Sequence, residues 1–216
     1  LVPSERLLVP LPANLDPATA APLTDAGLTP YHAVRRSWAK MTPEATVVVI
    51  GVGGLGHMGV QFVKATTAAT VIAVDQKPAA LELAKKIGAD HTVLSNADAA
   101  TAIRDLTNGR GADVVLDFVG AEPTMKLAMS VARGLADVTI VGIAGGTFPF
   151  TFFSQGYEVS LQTIYWGSRP ELIELLNLAS RGLVHSESTV YSLDNGIQAY
   201  HDLHEGKVQG RAVIVP

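Results

Sequence analysis

Residues 46–59 read TVVVIGVGGLGHMG. Five β-branched residues run straight into a segment where Gly51, Gly53, Gly54 and Gly56 fall within six positions. Glycine weakens a strand or helix interior by about 0.5–1 kcal/mol relative to alanine, so main chain this bare must answer a need. The flanks show which. A strand-forming run precedes the glycines, and helix-spaced Met58, Phe62 and Val63 follow them. Gly51, Gly53 and Gly56 thus form G-x-G-x-x-G at a strand–helix junction. In such a turn the first glycine makes the bend, the second lets a phosphate approach the backbone, and the third lets helix and strand pack closely. The helix N-terminus adds unpaired N–H groups and the positive end of its dipole.

The next strand, TVIAVD (70–75), ends on Asp75, 19 residues beyond Gly56. An acidic residue about 20 positions past the motif accepts hydrogen bonds from the adenosine ribose. The pair predicts a dinucleotide site. A carboxylate at that point repels a 2′-phosphate, and Gln76 brings no positive charge to offset it. Lys77 lies one step further round the turn, so NAD is favoured over NADP. Two alternatives stay open on the residues alone: glycines that serve only a tight turn, and S-adenosylmethionine, which uses a similar turn and acid. A second half-sheet over 113–167 favours a ligand with two nucleosides.

Working outward, strands and helices alternate. Strands are expected over 46–51, 70–75, 91–95, 113–120, 138–146 and 160–167. Helices are expected over 54–68, 78–90, 97–107, around 122–133 and over 169–182. Pro78 near a helix start and Gly88 at its end show the usual asymmetry of helix termini. Continuous apolar strands between helices predict a doubly wound α/β domain with a buried parallel sheet. The ends break this rhythm. Residues 1–27 carry five prolines, and residues 183–216 give STVYSL, a helix DNGIQAYHDLHEG and a closing strand RAVIVP.

The 216 residues are 48% hydrophobic and 17% charged, with net charge −4 and no cysteine. Disulfides, thiolate-held metals and a cysteine nucleophile are excluded within this chain. No basic block offers a nucleic-acid partner. Ala45–Val63 lacks any Asp, Glu, Lys or Arg, but its glycines, His57 and Gln61 make it a poor membrane span. No secretory signal is seen, so a cytoplasmic protein is expected. His201 and His204, with Glu205 beside them, read as a solvated helix face, and His57 as a packing or capping residue.

Together PLTDAGLTPYHA (22–33), VIGVGGLGHMGVQ (49–61), VIAVD, DFVGA, VGIAGG, YWGSR and GRAVIVP resemble the zinc-dependent medium-chain alcohol dehydrogenases, most of all bacterial NAD-dependent secondary-alcohol enzymes. The resemblance implies a Rossmann domain flanked by remnants of a GroES-like catalytic domain. Leu1 would fall inside a catalytic-domain strand, and Pro216 resembles a natural C-terminus. The implied division is 1–27, end of the catalytic domain; 28–167, NAD-binding domain; and 168–216, C-terminal helix and return to the catalytic domain. The two other zinc ligands, the relay hydroxyl and the structural zinc lobe of that family are missing from this chain.

By matching motif, Asp25 stands at a zinc-ligand position, where the bland reading is a helix cap. Thr29 matches the threonine beside the nicotinamide. Gly53, Gly54 and Leu55 present backbone to the pyrophosphate. Phe118 and Val119 line the path from adenosine to nicotinamide. Val141, Gly142 and Ile143 lie under the nicotinamide, and Trp166 follows on the last strand. Arg211 matches an arginine on the pyrophosphate, its bland reading being a solvated turn residue. Ala80 departs from a family lysine or arginine, a gap Lys77 is placed to fill. The resemblance also implies zinc in the complete enzyme, an alcohol or ketone substrate, and a homodimer or homotetramer. A non-catalytic NAD-binding module is the competing function. A zinc-free quinone-type reductase using NADPH is disfavoured by Asp25.

Overall fold

The computed structural model describes residues 4–216, so the strand expected at Leu1 lies outside the described residues. A short helix α1 (Pro17–Ala20) is capped by Asp16, whose carboxylate accepts from Thr19 N–H. After α2 (Leu28–Arg36) the alternating units begin: β1 (Thr46–Ile50), α3 (Gly56–Thr66), β2 (Thr70–Asp75), α4 (Pro78–Lys86), β3 (His91–Leu94), α5 (Ala99–Leu106) and β4 (Ala112–Asp117). Then come α6 (Glu122–Val131), β5 (Ala132–Ile140), β6 (Ser160–Thr163), α7 (Arg169–Ser180), β7 (Ser188–Ser192), α8 (Gly196–His204) and β8 (Arg211–Val215).

Six strands form one parallel sheet in the order β3-β2-β1-β4-β5-β6. Successive residues of a strand point to opposite faces, and the cores divide accordingly. Val47 and Val49 enter one core with Phe62 of α3, Val34 of α2 and Leu175 of α7. Val48 and Ile50 enter the other with Ile103 of α5 and Met129 of α6. Both faces are therefore covered, which is why these strands read as unbroken apolar runs. Fully burying one such side chain contributes about 1.5–3 kcal/mol.

Polar contacts fix the first layer. Tyr31 Oη donates to Glu174 Oε2 at 2.8 Å, and Arg35 Nη1 lies 3.0 Å from the same oxygen. His32 pairs with Glu171 at 2.8 Å. Three α2 side chains thus hold α7, and burial together with Glu174 pushes the Tyr31 phenol up to about 12. The remaining strands, β7 and β8, form a separate parallel pair joined through α8.

Two strand expectations need correction. The strand expected at 138–146 begins at Ala132 and ends at Ile140. Helix α6 passes into it at Val131 with no turn residue between, and a register irregularity with Leu135 at φ 66° absorbs the change. The last strand stops at Thr163 instead of 167, so Trp166 lies beyond it, at φ 51°. Ala45–Val63, apolar enough to suggest a span, divides into β1, the glycine turn and most of α3. Among the described residues no helix is long and apolar enough to cross a membrane.

Candidate functional site

The three motif glycines have three different environments. Gly51 turns with φ +85°, and a Cβ on it would lie 2.6 Å from Val119 Cγ2. A Cβ on Gly56 would fall 1.7 Å from the Gly51 carbonyl oxygen. Packing alone demands both. A Cβ on Gly53 would meet nothing. Gly53 faces a cleft of about 690 Å³ lying across the carboxyl ends of β1, β2, β4 and β5. Between β1 and β4 the chain order reverses, the crevice where open α/β sheets bind ligands.

Gly51, Gly53, Asp75, Lys77, Phe118, Val119 and Ile143 all line this cleft, as do Ala80 and the segment Gly206–Gly210. Asp75 is held by both oxygens: Oδ2 accepts from Val52 N–H and Oδ1 from Lys77 N–H, each at 2.8 Å. The carboxylate that ends β2 thereby also fixes the glycine turn. Lys77 reaches across the cleft, since a Cβ on Gly206 would sit 3.1 Å from its Nζ.

The other expected residues do not line the cleft. Gly54 makes room for Arg211, whose Cδ and Nη1 would each lie 3.1 Å from a Cβ there. Leu55 precedes α3 and packs on the first core. Val141 is buried in that core, and a Cβ on Gly142 would be 2.1 Å from the Val119 carbonyl carbon. Trp166 is exposed and stacks at 4.7 Å on Tyr165. Thr29 is buried with its hydroxyl unpartnered.

Asp25 Oδ2 lies 3.2 Å from Arg211 Nη2, so the expected metal ligand and the expected phosphate arginine hold each other. Among the described residues no three His, Cys, Asp or Glu side chains stand together as a metal site. A carboxylate already committed to an arginine and outside any such group of three does not fit zinc within this chain. His201, His204 and Glu205 are exposed around the end of α8, in keeping with a solvated face.

One contributor, Asp117, escaped the sequence reading, and another, His57, expected only as a packing or capping residue, has a further contact. Asp117 is fully buried at the end of β4. Its Oδ1 accepts from Val119 and Gly120 N–H at 2.9 and 3.0 Å, and its Oδ2 from the Thr124 hydroxyl at 2.8 Å. It shapes the loop carrying Phe118 and Val119, and an acid at a strand end three residues before Gly120 was the available signal. His57 is also fully buried, and burial pulls its pKa below the ordinary value. Its Nδ1 lies 2.9 Å from Gly53 O.

Sheet order and cleft define a Rossmann-type α/β domain. The chain belongs to the zinc-binding dehydrogenase family, whose model matches residues 54–181. It is 37% identical over 218 residues to an NAD-dependent alcohol dehydrogenase of Sulfolobus acidocaldarius, covering 99% of this chain and 62% of that protein. It is 32% identical over 220 residues to a D-arabinose 1-dehydrogenase (NADP(+)) of Saccharolobus solfataricus, again 62% of the relative's length. The crystal structure of the alcohol dehydrogenase from Aeropyrum pernix superposes with a TM-score of 0.90 at 39% identity, over 99% of this chain and 63% of that one. The chain therefore spans under two thirds of the length of the relatives it matches.

Proposed function

We propose that this chain is the NAD-binding part of an alcohol dehydrogenase that moves hydride between an alcohol, a secondary one by the sequence resemblance, and nicotinamide. The observation that carries the reading is Gly53: bare toward the cleft, required by no packing contact, and followed by Asp75 at the next strand end. NAD supplies the hydride chemistry when bound. The chain's own residues bind and orient it. Gly53 and its neighbours present backbone to the diphosphate, Arg211 approaches from beyond Gly54, and Asp75 takes the ribose hydroxyls of the unphosphorylated sugar. Val141, Gly142, Ile143, Thr29 and Trp166 are assigned to the nicotinamide end on the family resemblance.

Residues 1–27, 28–167 and 168–216 form the three parts of this reading. It is supported at the C-terminal end by β7–β8, a pair outside the main sheet with Val190 and Ile214 exposed. A homodimer or homotetramer in the cytoplasm completes the proposal. Its support is the edge strand β6, beside which Phe152, Phe153 and Tyr157 are exposed. A second reading, an NAD-binding module without catalysis, is favoured by the Asp25–Arg211 pair.

Alcohol-dependent NADH formation and bound zinc, measured on this chain with NADH affinity alongside, separate the readings. Turnover supports the dehydrogenase and removes the module. NADH binding without turnover is the result expected of either reading for this chain on its own. The dehydrogenase is then distinguished by gain of turnover when the rest of a catalytic domain is supplied, and absence of NADH binding overturns both.

A further inference from the structure

His57 and Gln61 stand one helical turn apart on α3, both buried. The His57 ring bridges two backbone groups distant in sequence. Its Nε2 accepts from Glu187 N–H at 3.1 Å. An amide N–H only donates, so Nε2 is bare and Nδ1 carries the proton, which it donates to Gly53 O. Gln61 continues the seam: Nε2 donates to His185 O at 2.9 Å, and Oε1 accepts from His185 N–H at 3.0 Å. Glu187 O in turn accepts from Arg211 N–H at 2.9 Å. A Cβ on Gly210 would lie 2.1 Å from that same oxygen, so the start of β8 is pressed against Glu187. One continuous path of contacts therefore joins Gly53 to Arg211 through His57 and Glu187.

We propose that His57 is a positioning residue for the cofactor diphosphate: it holds the bare turn at Gly53 and the Arg211 guanidinium at a fixed separation, so that both engage one ligand. The inference rests on the dinucleotide reading of the cleft. The ring touches no ligand, being fully buried. Its two hydrogen bonds replace those it gives up in water, so its net effect on stability is small. What it adds is geometry. A leucine would fill the space as well but would not fix where the turn stands relative to β8.

The test is a calorimetric titration of the full chain with NADH, using His57→Leu, His57→Gln, Arg211→Gln and the double variant His57→Leu/Arg211→Gln. His57→Leu is expected to weaken NADH by about tenfold, the equivalent of one well-formed hydrogen bond. His57→Gln keeps one donor and one acceptor and is expected to recover part of that loss. In the Arg211→Gln background the cost of His57→Leu should fall to less than half, because a residue acting through Arg211 has little left to position. Residues that act independently would give additive costs, and additivity overturns the proposal. So does unchanged NADH affinity in both single His57 variants. If His57→Leu does not fold, the His57→Gln cycle with Arg211→Gln decides on the same criteria. Absence of binding by the wild-type chain overturns the dinucleotide reading and this inference together, whereas wild-type binding unaltered by His57 substitution overturns the inference alone.

Discussion

Arg211 Nη2 lies 3.2 Å from Asp25 Oδ2, joining the first residue of β8 to the turn that precedes α2. This guanidinium also packs against Gly54, so a diphosphate bound on the glycine turn, as proposed, would compete with Asp25 for it. Both ends of the pair are partly exposed, 35% and 48%, so the link itself contributes no more than about 1 kcal/mol.

Freeing the arginine should therefore help the ligand. Asp25→Asn is expected to tighten NADH binding by up to about five-fold, and Arg211→Gln to weaken it. Titration of both variants reads the two signs. Weaker binding in Asp25→Asn would contradict the competition.

The glycines separate fold from function. Gly56→Ala places a carbon 1.7 Å from the Gly51 oxygen and is expected to cost at least about 3 kcal/mol or to abolish folding. Gly53→Ala meets no atom and should leave stability within about 0.5 kcal/mol while weakening NADH by about tenfold or more. Denaturant unfolding and calorimetry on the two variants give opposite patterns. Equal loss of stability in both would remove the argument that Gly53 is bare for a ligand.

Asp75 has two tasks, and one substitution should show both. Asp75→Ala strips the acceptor from Val52 and Lys77 N–H, at a cost to stability of about 1 kcal/mol or more. It also removes the charge that repels a 2′-phosphate. The NADPH-to-NADH affinity ratio is expected to rise by about tenfold. An unchanged ratio in paired titrations would transfer selectivity to another residue.

His57 also predicts a pH dependence. Burial lowers its pKa in the folded chain below the ordinary 6.5, so the unfolded chain takes up the proton first. Stability is then fully present above about pH 6.5 and falls as pH drops through the lowered folded value. Protonation would also set an N–H at Nε2 against Glu187 N–H, both donors. Melting curves from neutral to mildly acid pH should fall more steeply for wild type than for His57→Gln. Parallel curves would assign the acid sensitivity elsewhere.

The doubly wound sheet was legible because the middles of β1, β2 and β4 are buried on both faces and are apolar runs. The junction at Val131–Ala132 was not legible, since no proline or glycine separates α6 from β5 and only register in the folded sheet locates the change. The cleft-lining Gly53 and Asp75 followed from spacing along one βαβ unit. His57, Gln61 and the Asp25–Arg211 pair did not. Their partners lie 124 to 186 residues away, and nothing local in the sequence encodes such a meeting. Asp117 belongs between these cases: its position at a strand end was readable, whereas its three hydrogen bonds depend on the loop it shapes.

The most direct measurement is calorimetry of the purified wild-type chain with NADH and, separately, NADPH. The account predicts saturable heat for one NADH per chain, with NADPH weaker by about tenfold or more. No heat with NADH, or equal affinity for the phosphorylated cofactor, would contradict it.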